Sequence, residues 1–109
     1  MLLLNGTVFF LFLVYYRLNN EEIWYRFLKG APQERYKVFI HSSLSNHFVP
    51  PLSLKFTAVR TVKSEYMRSI GPMNQLLKSA LKYSISEFDH FIFLSENSIP
   101  VKSFDMVLN

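Results

Sequence analysis

Three short polar segments could carry chemistry. Tyr16-Arg17-Leu18-Asn19 and His41-Ser42-Ser43 each follow an apolar run, and Ser95-Glu96-Asn97-Ser98 follows Phe91-Ile92-Phe93-Leu94. Arg17 offers a fixed positive charge for an anion. The carboxylate of Glu96 would repel an anionic diphosphate, so it suits neutral hydroxyls, a neighbouring cation such as Arg17, or a backbone amide. His41 has the residue type of a base, or of a histidine at the edge of the core bonded to backbone. Ser and Asn also end strands for local hydrogen-bonding reasons, so each segment equally suits a plain turn.

Several chemistries are excluded by what the chain lacks. There are no cysteines, hence no disulfide framework and no thiolate metal site. No Gly-x-Gly-x-x-Gly follows the first apolar run, and no Gly-Lys-Ser/Thr loop occurs. With three glycines in all, the backbone cannot wrap a pyrophosphate in the usual dinucleotide manner. A Gly-x-Ser-x-Gly elbow is absent, as is an Asp-x-Asp pair that would hold a divalent cation.

The elements that must position these segments are legible from periodicity. Thr7 to Tyr15 is apolar on both faces, the habit of a strand in a parallel sheet. Asn19-Asn20 offers a helix N-cap, Glu21 and Glu22 suit the first turn, and Ile23, Trp24, Phe27 and Leu28 form a stripe. Lys29-Gly30 closes that helix, with Gly30 as a C′ glycine. Tyr36 to His41 is a second strand, and Phe56 to Val62 a short third one. Pro72 suits the first turn of a second helix whose stripe is Met73, Leu76, Leu77, Ala80 and Leu81. Phe91 to Leu94 is expected to be a central, buried strand, and Ser103 to cap a last helix. Glu65 reads as a solvated helix-start residue.

Strands alternating with helices predict an α/β fold with a parallel sheet. Its ligand edge lies at the carboxyl ends of the strands, where the three polar segments converge. The 109 residues suffice for one small domain, half of them hydrophobic, so disorder is excluded. The chain stops where a new helix would begin, which suggests a piece of a larger domain.

A net charge of +4 and a pI near 9.5 suit an anionic partner such as a nucleotide diphosphate, a phosphate or a membrane surface. The basic residues are scattered, with no run of five and no RNP-like or zinc-finger pattern, so nucleic acid is not an expected partner. The apolar run Val8–Tyr16 has nine residues, against the roughly 20 that span a bilayer, and reads as a buried strand. A short membrane-anchored protein is the reading that this segment would otherwise support. Asn5-Gly6-Thr7 matches an N-glycosylation sequon, a short pattern that equally describes a turn.

The segment FIFLSENSIPVKSF resembles the Leu-Ser-Glu-x-x-Ile-Pro-Leu block of the core 2/I-branching N-acetylglucosaminyltransferase family, in its plant-like branch. FLFLVYYRLNNEEIWYRFLKG is similar to that family's Phe-Leu-Phe-Leu strand and Leu-Trp-x-x-Phe-Phe-x-Gly helix. YKVFIHSS is similar to its second strand, and MNQLLKSALKYSISEFDHFIFLSE to its Leu-Leu-x-x-Ala-Leu helix and following strand. The blocks occur in the family's order from about Val8 onward.

The resemblance implies a glycosyltransferase type A fold, with residues 1–109 as a single N-terminal, Rossmann-like, nucleotide-sugar-binding portion of a truncated domain. It implies transfer of a sugar, foremost N-acetylglucosamine, from a UDP-sugar to a glycan acceptor, with inversion and without a metal ion. The UDP-sugar is a substrate; no cofactor is implied. Tyr16, Arg17, His41, Ser43 and Glu96 would line the donor rim. The family's catalytic base and diphosphate-binding basic residues lie in its C-terminal half, so no catalytic residue is assigned and these 109 residues alone are expected to be inactive. Members are type II Golgi membrane proteins with an upstream anchor and a lumenal catalytic part. The chain departs from the family at Ser43, where Asp is common, at Ser64, where an aromatic residue is usual, and at Pro72. Ser43 and Ser64 suit the alternative, a non-catalytic α/β binding or scaffold protein derived from the same fold, whereas the intact LSENSIP block suits the enzyme lineage.

Overall fold

The computed structural model describes residues 6–62 and 70–100. Strand β1 (Val8–Val14) leads to helix α1 (Glu21–Leu28), then to β2 (Tyr36–Ser42), β3 (Thr57–Ala58), α2 (Ile70–Leu81) and β4 (His90–Ser95). The four strands form one sheet in the order β3-β2-β1-β4, and every pairing is parallel. This is the α/β, Rossmann-like arrangement that strand-helix alternation predicts. Asn5, Ser64, Glu65 and Ser103, which the sequence reading also weighed, lie outside the described residues.

β1 is interior because its side chains are apolar on both faces. Val8, Phe10, Phe12 and Val14 meet Trp24 and Leu28 of α1 together with Val38 and Ile40 of β2. On the opposite face Phe9 and Leu11 meet Phe39 of β2 and Leu76 and Ala80 of α2. Each large side chain removed from water in this way stabilises the fold by about 1.5–3 kcal/mol. The indole of Trp24 sits edge-on to Phe10, Phe12 and Phe27, with centroids 5.5, 5.1 and 5.4 Å away, the geometry that aromatic quadrupoles favour. The apolar N-terminal run is thus a buried strand, and no helix among the described residues is long and apolar enough to cross a membrane.

Six expectations need correction. Ile23 is exposed: it lies about 100° around α1 from Trp24, which turns it off the buried face. Asn20 occupies the N-cap position without a side-chain cap bond, because its amide donates elsewhere. Gly30 is not left-handed; Lys29 ends α1 in a right-handed conformation, its N–H on the Tyr25 carbonyl at 2.9 Å. On α2, Leu81 is exposed and the buried line is Pro72, Leu76 and Ala80. Finally, β4 is neither central nor fully buried. Among the described residues it pairs with β1 alone, its apolar residues are half-buried, and β3 likewise shrinks to two exposed residues.

The amino end of the sheet is fastened by Asp89, which precedes β4. Its Oδ1 accepts the Thr7 amide at 2.7 Å. Its Oδ2 accepts the Ser84 hydroxyl at 2.6 Å and the amides of Ile85 and Ser86 at 3.1 and 3.2 Å. Burial pushes the Asp89 carboxyl up, but these four donors outweigh it and hold it below the usual carboxylate value. Gly6 is buried beside this turn, and a Cβ there would lie 2.0 Å from the Phe88 carbonyl oxygen. Only glycine fits that approach.

Candidate functional site

The carboxyl end of the sheet is where an open α/β fold binds ligands, at the point where successive connections run to opposite sides. Here that point lies between β1 and β4. β1 leaves the sheet through Tyr15, Tyr16 and Arg17, and the loop after β2 holds this exit in place. The Val14 carbonyl accepts the Ser43 amide at 2.9 Å, the Tyr15 carbonyl the Leu44 amide at 2.8 Å, and the Tyr16 carbonyl the Val49 amide at 2.6 Å. The Ser42 hydroxyl adds a second bond to the Tyr15 carbonyl at 2.7 Å.

From the other side comes the loop after β4. The β1–β4 ladder ends at Leu13 opposite Ser95, so the Tyr15 amide lies beyond the last β4 strand residue. Glu96 supplies the missing acceptor: its Oε1 takes the Tyr15 N–H at 2.7 Å, while its carbonyl takes the Asn19 N–H at 3.1 Å. Asn97 then binds both asparagines before α1, its Oδ1 accepting from Asn19 Nδ2 at 2.6 Å and its carbonyl from Asn20 Nδ2 at 3.1 Å. This is the bond that diverts Asn20 from capping. The Trp24 indole N–H donates to the Ser98 carbonyl at 2.9 Å, and Ser98 Oγ accepts the Ser95 amide at 3.0 Å, closing the turn. A half-buried strand runs straight into Ser-Glu-Asn-Ser because these groups bolt the two rim loops together.

Tyr16, Arg17 and Ser43 are exposed on this rim and Glu96 is half-buried within it. Tyr15, also exposed, adds a second phenol. Arg17 forms a bridge with Val49 and faces the charge of Glu21. Burial raises the Glu21 carboxyl, but the Ser53 hydroxyl and amide, the Leu52 amide and Arg17 together bring it below its ordinary value. Glu21 Oε2 indeed accepts both the Ser53 amide, at 2.7 Å, and the Ser53 hydroxyl.

His41 is not on the rim surface with the others. It is fully buried and, like Phe39, projects toward the α2 face of β2, where its Nε2 accepts the Val62 amide at 3.0 Å. That bond assigns the proton to Nδ1, which has no partner among the described residues. Burial lowers its pKa, more than the backbone contacts raise it, so the ring is held neutral. The geometry is that of a histidine bonded to backbone beneath the rim.

The rim residues that sequence reasoning missed are Asn97 and Trp24 in their bracing roles. Asn97 was visible only as part of a polar strand end, Trp24 only as core. One signal pointed further: a buried indole N–H needs an acceptor, and acceptors for a residue early in a helix lie at strand ends. Among the described residues no group of three His, Asp or Glu side chains converges on a metal-sized space.

Neither a curated protein nor a solved structure matches the chain. The family model for the core-2/I-branching enzyme matches residues 8–109, from the first residue of β1 onward. That span takes in every strand and helix described above, and on it the chain belongs to the core-2/I-branching enzymes, a glycosyltransferase family.

Proposed function

We propose that residues 1–109 form the nucleotide-sugar-binding portion of a branching transferase, which moves N-acetylglucosamine from UDP to a glycan hydroxyl. The observation that carries this reading is the switch point between β1 and β4, with Tyr15, Tyr16, Arg17 and Ser43 exposed on its braced rim. Tyrosine rings suit stacking on a uracil base, and Arg17 suits a diphosphate oxygen. Ser43 adds a hydroxyl donor. Glu96 acts by holding the Tyr15 amide and so sets the rim loop, while His41 stiffens the β2 end from beneath.

In this reading the reaction is an inverting single displacement that needs no metal ion. A carboxylate takes the proton of the acceptor hydroxyl as that oxygen attacks the anomeric carbon and UDP leaves. None of the three described carboxylates near the rim is placed for that step, since Glu96 is bonded to Tyr15, Glu21 to Ser53 and Glu22 to Arg26. The residues present bind and orient. The Golgi lumen, behind an upstream membrane anchor, belongs to the same proposal.

Titration of the ¹⁵N-labelled chain with UDP tests it. Amide shifts should cluster at Tyr16, Arg17 and Ser43, and Arg17→Ala should weaken binding about tenfold, in line with one lost hydrogen bond to a charged group. A folded chain whose rim amides ignore millimolar UDP would sink the reading.

A further inference from the structure

At the amino half of β2, far from the rim, a cavity of about 240 Å³ opens along the sheet edge. It exists because β3 pairs only with Phe39 and Ile40, so Lys55 and Phe56 diverge from Tyr36–Val38 and leave a cleft between them. Tyr36, Phe39, Phe56 and Tyr83 give it aromatic walls, and Lys37 and Lys55 bring two lysines to its lining. Gln33 and Thr57 add an amide and a hydroxyl, and among the described residues no carboxylate lines the space. The Lys37 ammonium lies 5.5 Å from the centroid of the Tyr83 ring, within cation–π range, which holds it at the cleft.

We infer that this cleft is a second carbohydrate site, separate from the donor rim, that takes one acidic sugar unit such as a uronate. Each part of the lining matches a part of that ligand. Aromatic rings suit the C–H face of a pyranose, the amide and hydroxyl suit its hydroxyls, and the two lysines suit its carboxylate.

Size and shape decide between ligand classes. Pockets for drug-sized ligands measure about 300–1,000 Å³, so a cleft of about 240 Å³ matches a single ring better than a whole nucleotide-sugar. An added peptide strand would have only the three residues Tyr36–Val38 to pair with before meeting Thr57, fewer than the five or six of an average strand. A bare anion would leave the aromatic walls unused. The inference does not rest on the rim: the cleft shares no residue with it, and loss of UDP binding would leave it intact.

The ¹⁵N-labelled chain should be titrated with methyl β-D-glucuronide, methyl β-D-glucoside, sulfate, an Asp/Glu tetrapeptide and, separately, UDP. Saturable glucuronide shifts are expected at Lys37, Val38 and Thr57, at least tenfold tighter than for the uncharged glucoside. The exposed pair change Lys37→Gln/Lys55→Gln should remove that preference while leaving the spectrum of the free chain in place. Tyr83→Leu should weaken both glycosides several-fold. Equal affinity for both glycosides, sulfate shifts of equal strength, tighter binding of the acidic peptide, or no saturable shift would each overturn the assignment.

Discussion

Replacing Asp89 should cost this small domain a large share of its stability. Its carboxylate accepts three backbone amides and one hydroxyl. A hydrogen bond to a charged group contributes about 1.5–3 kcal/mol, while a donor left without a partner costs about 1–3 kcal/mol unless water reaches it. The turn is only partly buried, so rehydration recovers part of the loss and the four bonds do not add. Asp89→Ala should therefore cost about 2–4 kcal/mol. Against a total of about 5–15 kcal/mol, at roughly 4–8 °C per kcal/mol, that lowers Tm by about 8–32 °C. Asp89→Asn keeps one acceptor but turns an NH₂ toward donors, and should cost about 1–3 kcal/mol. Acid supplies a second arm. The folded-state pKa lies below the ordinary value of 3.8, so the contribution is present above that value and fades as pH falls through the folded pKa. Urea unfolding followed by circular dichroism should show wild type and Asp89→Asn converging in strong acid. A gap that stays constant from neutral pH into strong acid, or an Asp89→Ala cost below about 0.5 kcal/mol, refutes the reasoning.

Other expectations follow from the same geometry. Gly6→Ala drives a methyl into the Phe88 carbonyl and should cost about 2–3 kcal/mol by overpacking, read by chemical denaturation. Trp24→Ala should cost about 3–5 kcal/mol, whereas Trp24→Phe should keep most of the packing and lose mainly the bond to Ser98, seen as faster amide exchange at the rim loops. Glu96→Gln keeps an acceptor for Tyr15 and should change stability by less than about 1 kcal/mol; Glu96→Ala should weaken UDP binding several-fold by loosening Tyr15–Arg17. His41 is held neutral when folded but protonates when unfolded, so its contribution should fall as pH drops below the ordinary 6.5. Denaturation of His41→Gln, which retains an acceptor for Val62, should lack that decline.

Local patterns were enough to find β1, α1, β2 and α2, because a two-sided apolar run and a helical stripe each fix a period. They were not enough to place β4. FIFL in β4 reads like FLFL in β1, yet one is half-exposed and the other interior, a difference set by which neighbour each crossover delivers. The rim was legible as three polar strand ends, and the branching-family resemblance followed from them. What those ends touch was not legible. The partner of Glu96 is a backbone amide 81 residues away, and His41 answers to the amide of Val62. Backbone groups carry no mark in a sequence.

One more consequence lies in the spacing of two carboxylates. Asp89 and Glu96 stand immediately before and after β4, and they accept the amides of Thr7 and Tyr15, immediately before and after β1. A strand that is apolar on both faces carries little information about its own alignment, since a shift along its neighbour still buries apolar side chains. The two charged ends supply that information as a ruler does, by fixing a length. Sliding β4 along β1 in either direction takes both carboxylates off their amides together, so partial misalignment has no foothold. A one-residue deletion within β4 should accordingly behave as a broken gauge: one end still engages, the other cannot, and the rim at the carboxyl end falls out of alignment with the rest of the sheet.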